Sequence, residues 1–269
     1  MSNLHVHQLL QALKRGPAVL VSVHDVHGSG PREVGAWMAV MAGEVINTIG
    51  GGHLEFRAID EARRLMDGGG ATTRRYALGP SLGQCCGGVV HLRYEPVTLA
   101  DAPVLAQRLQ APAVPVALFG GGHVGQALVQ VLGTLPFSVT WVDSRDQVFP
   151  ATVPFNVTCE HSDPVQAAVP GLPPGALVLV MSFSHAEDLD VVAACLRRLR
   201  ERNDLPYIGL IGSKSKWAAF RHRLEERGFT SAELARVTSP IGLPGITGKQ
   251  PEVIAVSVAA QLLQALASA

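Results

Sequence analysis

"VPVALFGGGHVGQALVQVL", Val114–Leu132, is the stretch on which the fold turns. Its first six residues form an apolar run that reads as a buried strand. Three glycines follow, and apolar residues then recur at helical spacing. Gly120, Gly122 and Gly125 make a G-x-G-x-x-G pattern at the junction. Each glycine has a physical task. Gly120 permits the tight turn, Gly122 lets a phosphate approach the backbone, and Gly125 lets the helix pack on the strand. The helix N-terminus adds amide donors and a favourable dipole. "FSVTWVD" reads as the next strand, and Asp143 ends it 18 residues beyond Gly125, where a carboxylate would accept from a ribose diol. His123, inside the turn, is a candidate for a phosphate contact or a helix cap. A Rossmann-type domain is expected here. The turn serves equally a domain that keeps it for packing, or for an anion other than a dinucleotide.

Strand and helix patterns go on alternating beyond this stretch. "PFNVTCE", "GALVLVMSF" and "PYIGLIGS" read as strands; "DLDVVAACLRRLRER", "KWAAFRHRLEERG" and "PEVIAVSVAAQLLQALA" read as helices. Such alternation implies a parallel sheet with helices on both faces. Two more loops fall beyond C-terminal strand ends, where ligands of this fold bind. "SFSHAEDLD" carries His185, Asp188 and Asp190, and "GSKSK" carries Lys214 and Lys216. Read individually, the two aspartates suit a helix first turn and the two lysines a solvated face.

Before Val114 the pattern differs. Leu4–Lys14 and Leu54–Asp67 read as helices, and "AVLVSVHDV", "AWMAVMAG", "VINTI", "RRYAL" and "VVHLRYEPV" read as strands in hairpins, which is an α+β pattern. The expected fold class is therefore α/β: an N-terminal α+β domain over 1–97, an Ala- and Pro-rich linker region over 98–113 with room for one short helix, and a Rossmann-like parallel-sheet domain over 114–269. Three N-terminal loops carry chemistry. "GSGPREVG" offers Ser29, Arg32 and glycine amides. "GGGHLEF" places Gly50, Gly51, Gly52 and His53 at a helix start, where an anion nest is expected. "QCCGG", Gln84–Gly88, sets Cys85 beside Cys86 on a glycine turn. Adjacent cysteines do not have the C-x2-C spacing of a zinc site, so these thiols are candidates for a thiophilic metal or for sulfur chemistry. The plainer reading is one buried cysteine and one small turn residue.

Composition narrows the classes. Apolar residues make up 47% of the 269, which is globular, and Lys plus Arg equals Asp plus Glu at 22 each. No basic field exists to attract nucleic acid. The apolar runs are too short to span a bilayer, and the first residues lack a signal-peptide core, so a cytoplasmic protein is expected. In that reducing compartment Cys159 and Cys195, in apolar surroundings, read as plain buried side chains.

Taken in order, "GSGPREVGAWMAV", "TIGGGHLEFRAIDEA", "GQCCGG", "LFGGGHVGQAL", "VDSRD", "SFSHAEDLD", "YIGLIGSKSKWAAFRHRL" and "SPIGLPGITGKQPEVIAVSVAAQLL" resemble the XdhC family over nearly the whole chain. These are xanthine dehydrogenase accessory proteins, related to the carbon-monoxide dehydrogenase accessory proteins. The resemblance implies a maturation chaperone rather than a catalyst. Such a protein binds the molybdenum cofactor (molybdopterin), holds it while a cysteine desulfurase exchanges an oxo for a sulfido ligand, and delivers it to the molybdenum-binding subunit of xanthine dehydrogenase. It also implies a homodimer. The family pattern falls on Gly50, Gly51, Gly52, Cys86, Gly87, Gly88, Gly120, Gly122 and Gly125; many relatives have Cys where this chain has His53. The candidate cofactor site is thus Arg32, Gly51, Gly52, His53, Gln84, Cys85, Cys86, Gly120, Gly122, His123, Gly125 and Asp143, with Cys85 and Cys86 as candidate molybdenum contacts and a nucleotide as a further candidate ligand. The competing readings are an NAD(P)-dependent oxidoreductase using Asp143, and an interaction scaffold without a cofactor.

Overall fold

The computed structural model describes residues 3–66, 68–78 and 88–267. The chain divides into two units, Met1–Ala111 and Pro112–Ala269. In the first, β1 (Ala18–His27), β2 (Trp37–Val40), β3 (Val45–Asn47), β4 (Thr72–Ala77) and β5 (Val89–Val97) pair antiparallel in the order β3-β2-β1-β5-β4. Side chains alternate across this sheet, and both faces are covered. Val19, Val21 and Val23 of β1 join Met38, Leu92 and Tyr94 under helix α2 (Gly52–Leu65), which presents Leu54, Ala58 and Ala62. Ala18, Leu20, Trp37 and Ala39 face the other way, against α1 (Asn3–Ala12) and α3 (Ala102–Leu109). Helix α3 lies inside the stretch 98–113 expected as a linker. Its Leu105 and Leu109 are buried in the first unit's core, so an apolar face sets its place despite the Ala- and Pro-rich composition.

Strand β1 is irregular in its second half. Its pairing with β5 shifts between Val23 and Asp25, leaving exposed His24 as the extra residue of a bulge. Regular alternation from Val23 would turn Asp25 and His27 toward α2. The bulge reverses the parity, so that Val26 packs on the α2 side and Asp25 stands opposite His91 on the other face.

The second unit has the expected parallel sheet. Strands β6 (Val114–Phe119), β7 (Phe137–Asp143), β8 (Val157–His161), β9 (Leu177–Val180), β10 (Tyr207–Leu210) and β11 (Val237–Thr238) run in the order β11-β10-β9-β6-β7-β8. This is the doubly wound Rossmann order, with the switch point between β6 and β9. Helices α4 (His123–Leu132) and α8 (Pro251–Ala267) cover one face; α5 (His185–Arg202) and α6 (Lys214–Glu226) cover the other. A one-turn helix α7 (Ser231–Leu234) precedes β11. Core residues such as Phe119, Phe137, Leu179 and Leu196 are completely buried, each stabilising by roughly 1.5–3 kcal/mol relative to exposure. Cys195 belongs to this core, and burial pushes its thiol up to about 12; Cys159 is half-buried at the core's margin, its thiol also raised by burial. Among the described residues no helix is long and apolar enough to cross a membrane.

Candidate functional site

The glycine turn separates packing from opening. Gly120 has φ +123°, donates to the Val142 carbonyl at 2.8 Å, and lies so close to the Met181 carbonyl that any Cβ would fall well under 3.0 Å from it. A Cβ on Gly125 would strike the Gly120 carbonyl, which also accepts from Trp141 Nε1 at 2.9 Å. One on Gly121 would meet Val148 at 2.7 Å. Gly122 is different. Its φ of −73° suits any residue, and a Cβ there would meet nothing within 4 Å. The first amides of α4 therefore adjoin open space at the switch point, as a phosphate requires. Directly after Met181, the buried hydroxyl of Ser182 has no hydrogen-bond partner among the described residues. His123 is exposed at the start of α4 and lines a cavity of about 470 Å³ with Gln126, Trp141 and Phe149.

Asp143 is at the expected strand end, yet its carboxylate is already saturated. It accepts from the Gly121 amide at 2.6 Å, the Arg145 amide at 2.9 Å, and Arg145 Nε and Nη2 at 2.9 Å each. Burial raises its pKa, but the Arg145 side chain and the two amides outweigh that and hold it below the ordinary carboxylate value. A ribose diol would have to displace Arg145, whose guanidinium also lies 4.6 Å over the exposed Phe183 ring. In the next two loops, Asp188 accepts from the Ser182 amide at 2.7 Å and from Lys216 Nζ at 2.6 Å. Lys216 is thus a nearly buried clasp between the β9 and β10 loops, where a solvated lysine was expected. Asp190 pairs with Arg227, while His185 and Lys214 are exposed.

In the first unit, strand register brings the chemically loaded loops to one end of the sheet. The β1–β2 loop, the β3–α2 turn, and Leu78 and Gly88 at the ends of the β4–β5 connection all lie there. Gly50 packs against Pro31 and Arg32, and Gly88 against the Ser29 carbonyl, each leaving no room for a Cβ. The anion nest at Gly50–Gly52 exists, and the chain fills it itself. Glu55 accepts from the Ile49 amide at 2.9 Å, the Gly51 amide at 3.1 Å and the Thr48 hydroxyl. The physical reason is proximity: Glu55 sits in the first turn of α2, where its carboxylate folds back on the amides. Replacing Glu55 with alanine is expected to cost about 2 kcal/mol, since bonds to a charged acceptor are the stronger kind; chemical denaturation measures it. Arg32 is bound to Glu33 by two hydrogen bonds at 3.1 and 3.0 Å, and His53 is exposed. Gln84, Cys85 and Cys86 lie outside the described residues.

One group in this unit escapes a sequence reading. Asp25, His27 and His91 each offer a ligand atom, all within 4.8 Å of one another. The available signal was the alternation Asp25-Val26-His27, masked by the bulge that sets these side chains on the face opposite Val26.

Comparison with known proteins agrees with this architecture. Residues 116–262 match the family model described as the XdhC Rossmann domain, and residues 12–77 match that of the XdhC and CoxI family. An uncharacterized Escherichia coli protein, YqeB, is 28% identical over 260 residues; the match covers 92% of this chain and 43% of YqeB, so the chain spans less than half of that relative's length. A crystal structure of a Bacillus halodurans protein described as a xanthine dehydrogenase superposes with a TM-score of 0.76 at 22% identity, over 100% of this chain and 96% of the other, a likeness of fold. With more than half its length matched by the first of these models, the chain belongs to the XdhC family.

Proposed function

We propose that the protein is a maturation chaperone of xanthine dehydrogenase whose cargo is the molybdenum cofactor. The observation that carries the reading is the open cradle at Gly122. Three neighbouring glycines are consumed by packing, whereas Gly122 and the following α4 amides are left facing a space that accepts a phosphate. The pterin phosphate is assigned to these groups. The nest at Gly51 is a poorer candidate, because Glu55 would have to be expelled from it. Cys85 and Cys86 are proposed as the thiols that contact molybdenum or carry sulfur, which suits a reducing cytoplasm. The bound cofactor would supply the metal centre on which oxo-for-sulfido exchange takes place; the chain's own task is to bind, shield and hand over. The proposed partners are a cysteine desulfurase, the molybdenum-binding subunit of xanthine dehydrogenase and a second copy of this chain.

Gly122→Val tests the cradle, because it fills the opening without straining the backbone. Purified protein is mixed with free molybdenum cofactor, isolated by gel filtration, and assayed for pterin and molybdenum. Wild type is expected to retain about one pterin per chain, Gly122→Val roughly tenfold less. Cys85→Ala/Cys86→Ala is expected to lose molybdenum retention or target activation. Wild type that retains no pterin overturns the reading, and full retention by Gly122→Val removes the cradle from it.

A further inference from the structure

We propose that Asp25, His27 and His91 form a binding site for a divalent first-row transition-metal ion, with the strand bulge at His24 as the device that assembles it. The three ligand atoms are His27 Nε2, His91 Nδ1 and Asp25 Oδ2. Asp25 Oδ2 stands 2.8 Å from the first and 3.6 Å from the second. Tetrahedral zinc, with bonds of about 2.0–2.2 Å to His nitrogen and Asp oxygen, holds its ligand atoms roughly 3.3–3.6 Å apart. These atoms are within 4.8 Å of one another, and His27 is exposed enough to swing inward. The rings of His27 and His91 meet edge to face, centroids 5.9 Å apart.

A second observation points to a ligand. His91 Nδ1 is buried and makes no hydrogen bond among the described residues, although the Asp25 carboxylate is only 3.6 Å away. A buried polar nitrogen left in this state is unfavourable, and a metal ion satisfies it. The positioning is built into the sheet. Asp25 and His27 alternate onto one face, and Asp25 pairs with His91 across the strands. The donor set selects the chemistry. Two imidazoles and one carboxylate suit zinc, cobalt, nickel or copper, and they are harder than the thiolate ligands that select soft ions. Three protein ligands leave further positions open to water or a second molecule.

The test uses the full chain, stripped of metal by a chelator and titrated with Zn²⁺ against a chromophoric competitor. Wild type and Cys85→Ser/Cys86→Ser are both expected to bind one ion per chain with equal affinity. His27→Ala and His91→Ala are expected to weaken binding roughly tenfold or more. His27 is exposed, so its variant keeps the fold, which circular dichroism checks. The Co²⁺ form should lack the near-ultraviolet thiolate charge-transfer band. Unchanged affinity in both histidine variants overturns the proposal, as does loss of binding in the cysteine variant. Neither outcome depends on cofactor retention.

Discussion

Gly120→Ala is expected to leave the second unit unable to reach its native packing. The added methyl meets the Met181 carbonyl well under 3.0 Å, and neither partner can retreat. Gly120 is pinned by its bond to the Val142 carbonyl, and Met181 by its own bond to the Phe119 carbonyl at 2.8 Å. The backbone at φ +123° adds strain for any side chain. A backbone–backbone collision between two central strands offers no rotamer to relax. The loss should exceed about 4 kcal/mol, a large share of the roughly 5–15 kcal/mol that stabilises a domain. Thermal unfolding followed by circular dichroism would show either no cooperative transition from this unit or a Tm lower by about 8 °C or more. Gly122→Ala is the control, with an expected shift of a few degrees at most. A native Tm for Gly120→Ala would refute the close packing of this turn.

Asp143→Ala ranks second. It strips acceptors from two backbone amides and leaves the Arg145 guanidinium without its partner. Asp143 is buried but the Arg145 side chain is 35% exposed, so solvent screens the orphaned guanidinium, and the expected cost is about 2–3 kcal/mol, much of it from the two amides left without an acceptor. The effect carries a pH signature. The folded pKa of Asp143 lies below its unfolded value near 3.8. Its contribution is therefore fully present above that unfolded value and is lost as pH falls through the folded one. Chemical denaturation of wild type and Asp143→Asn at pH 7 and again below pH 4 should show the stability gap narrowing with acid. A gap that stays constant would mean the charge is not what matters. The same saturation bears on nucleotide binding. A carboxylate with four donors in place has little left to offer a ribose, which weighs against the oxidoreductase reading.

The Rossmann unit was legible because each of its signals is local. An apolar run, a glycine turn and a 3.6-residue period sit side by side in the chain, and together they imply the parallel sheet. The first unit yielded its strands and α2 for the same reason. What escaped depends on long-range partners. Nothing near Glu55 in sequence states that its carboxylate turns back into the Gly51 nest instead of leaving it to a ligand. Asp188 and Lys216 look like a dipole partner and a solvated cation until the β9 and β10 loops come together. Arg145, two residues beyond Asp143, was the one local clue to the occupied carboxylate. Helix α3 was legible as a short helix within the Ala- and Pro-rich linker region, but that Leu105 and Leu109 seat it in the first unit's core was not.

The bulge in β1 has a consequence for how this strand can change in length. His24 is the residue left over in the pairing of β1 with β5. Deleting it would leave Val23, Asp25, Val26 and His27 in simple alternation, with the valines still toward α2, Asp25 still opposite His91 and His27 still opposite Val89. Strands elsewhere in the sheet cannot lose a residue without turning their core outward. At position 24 a gap of one is neutral to both faces, and an alignment of relatives should be free to open there.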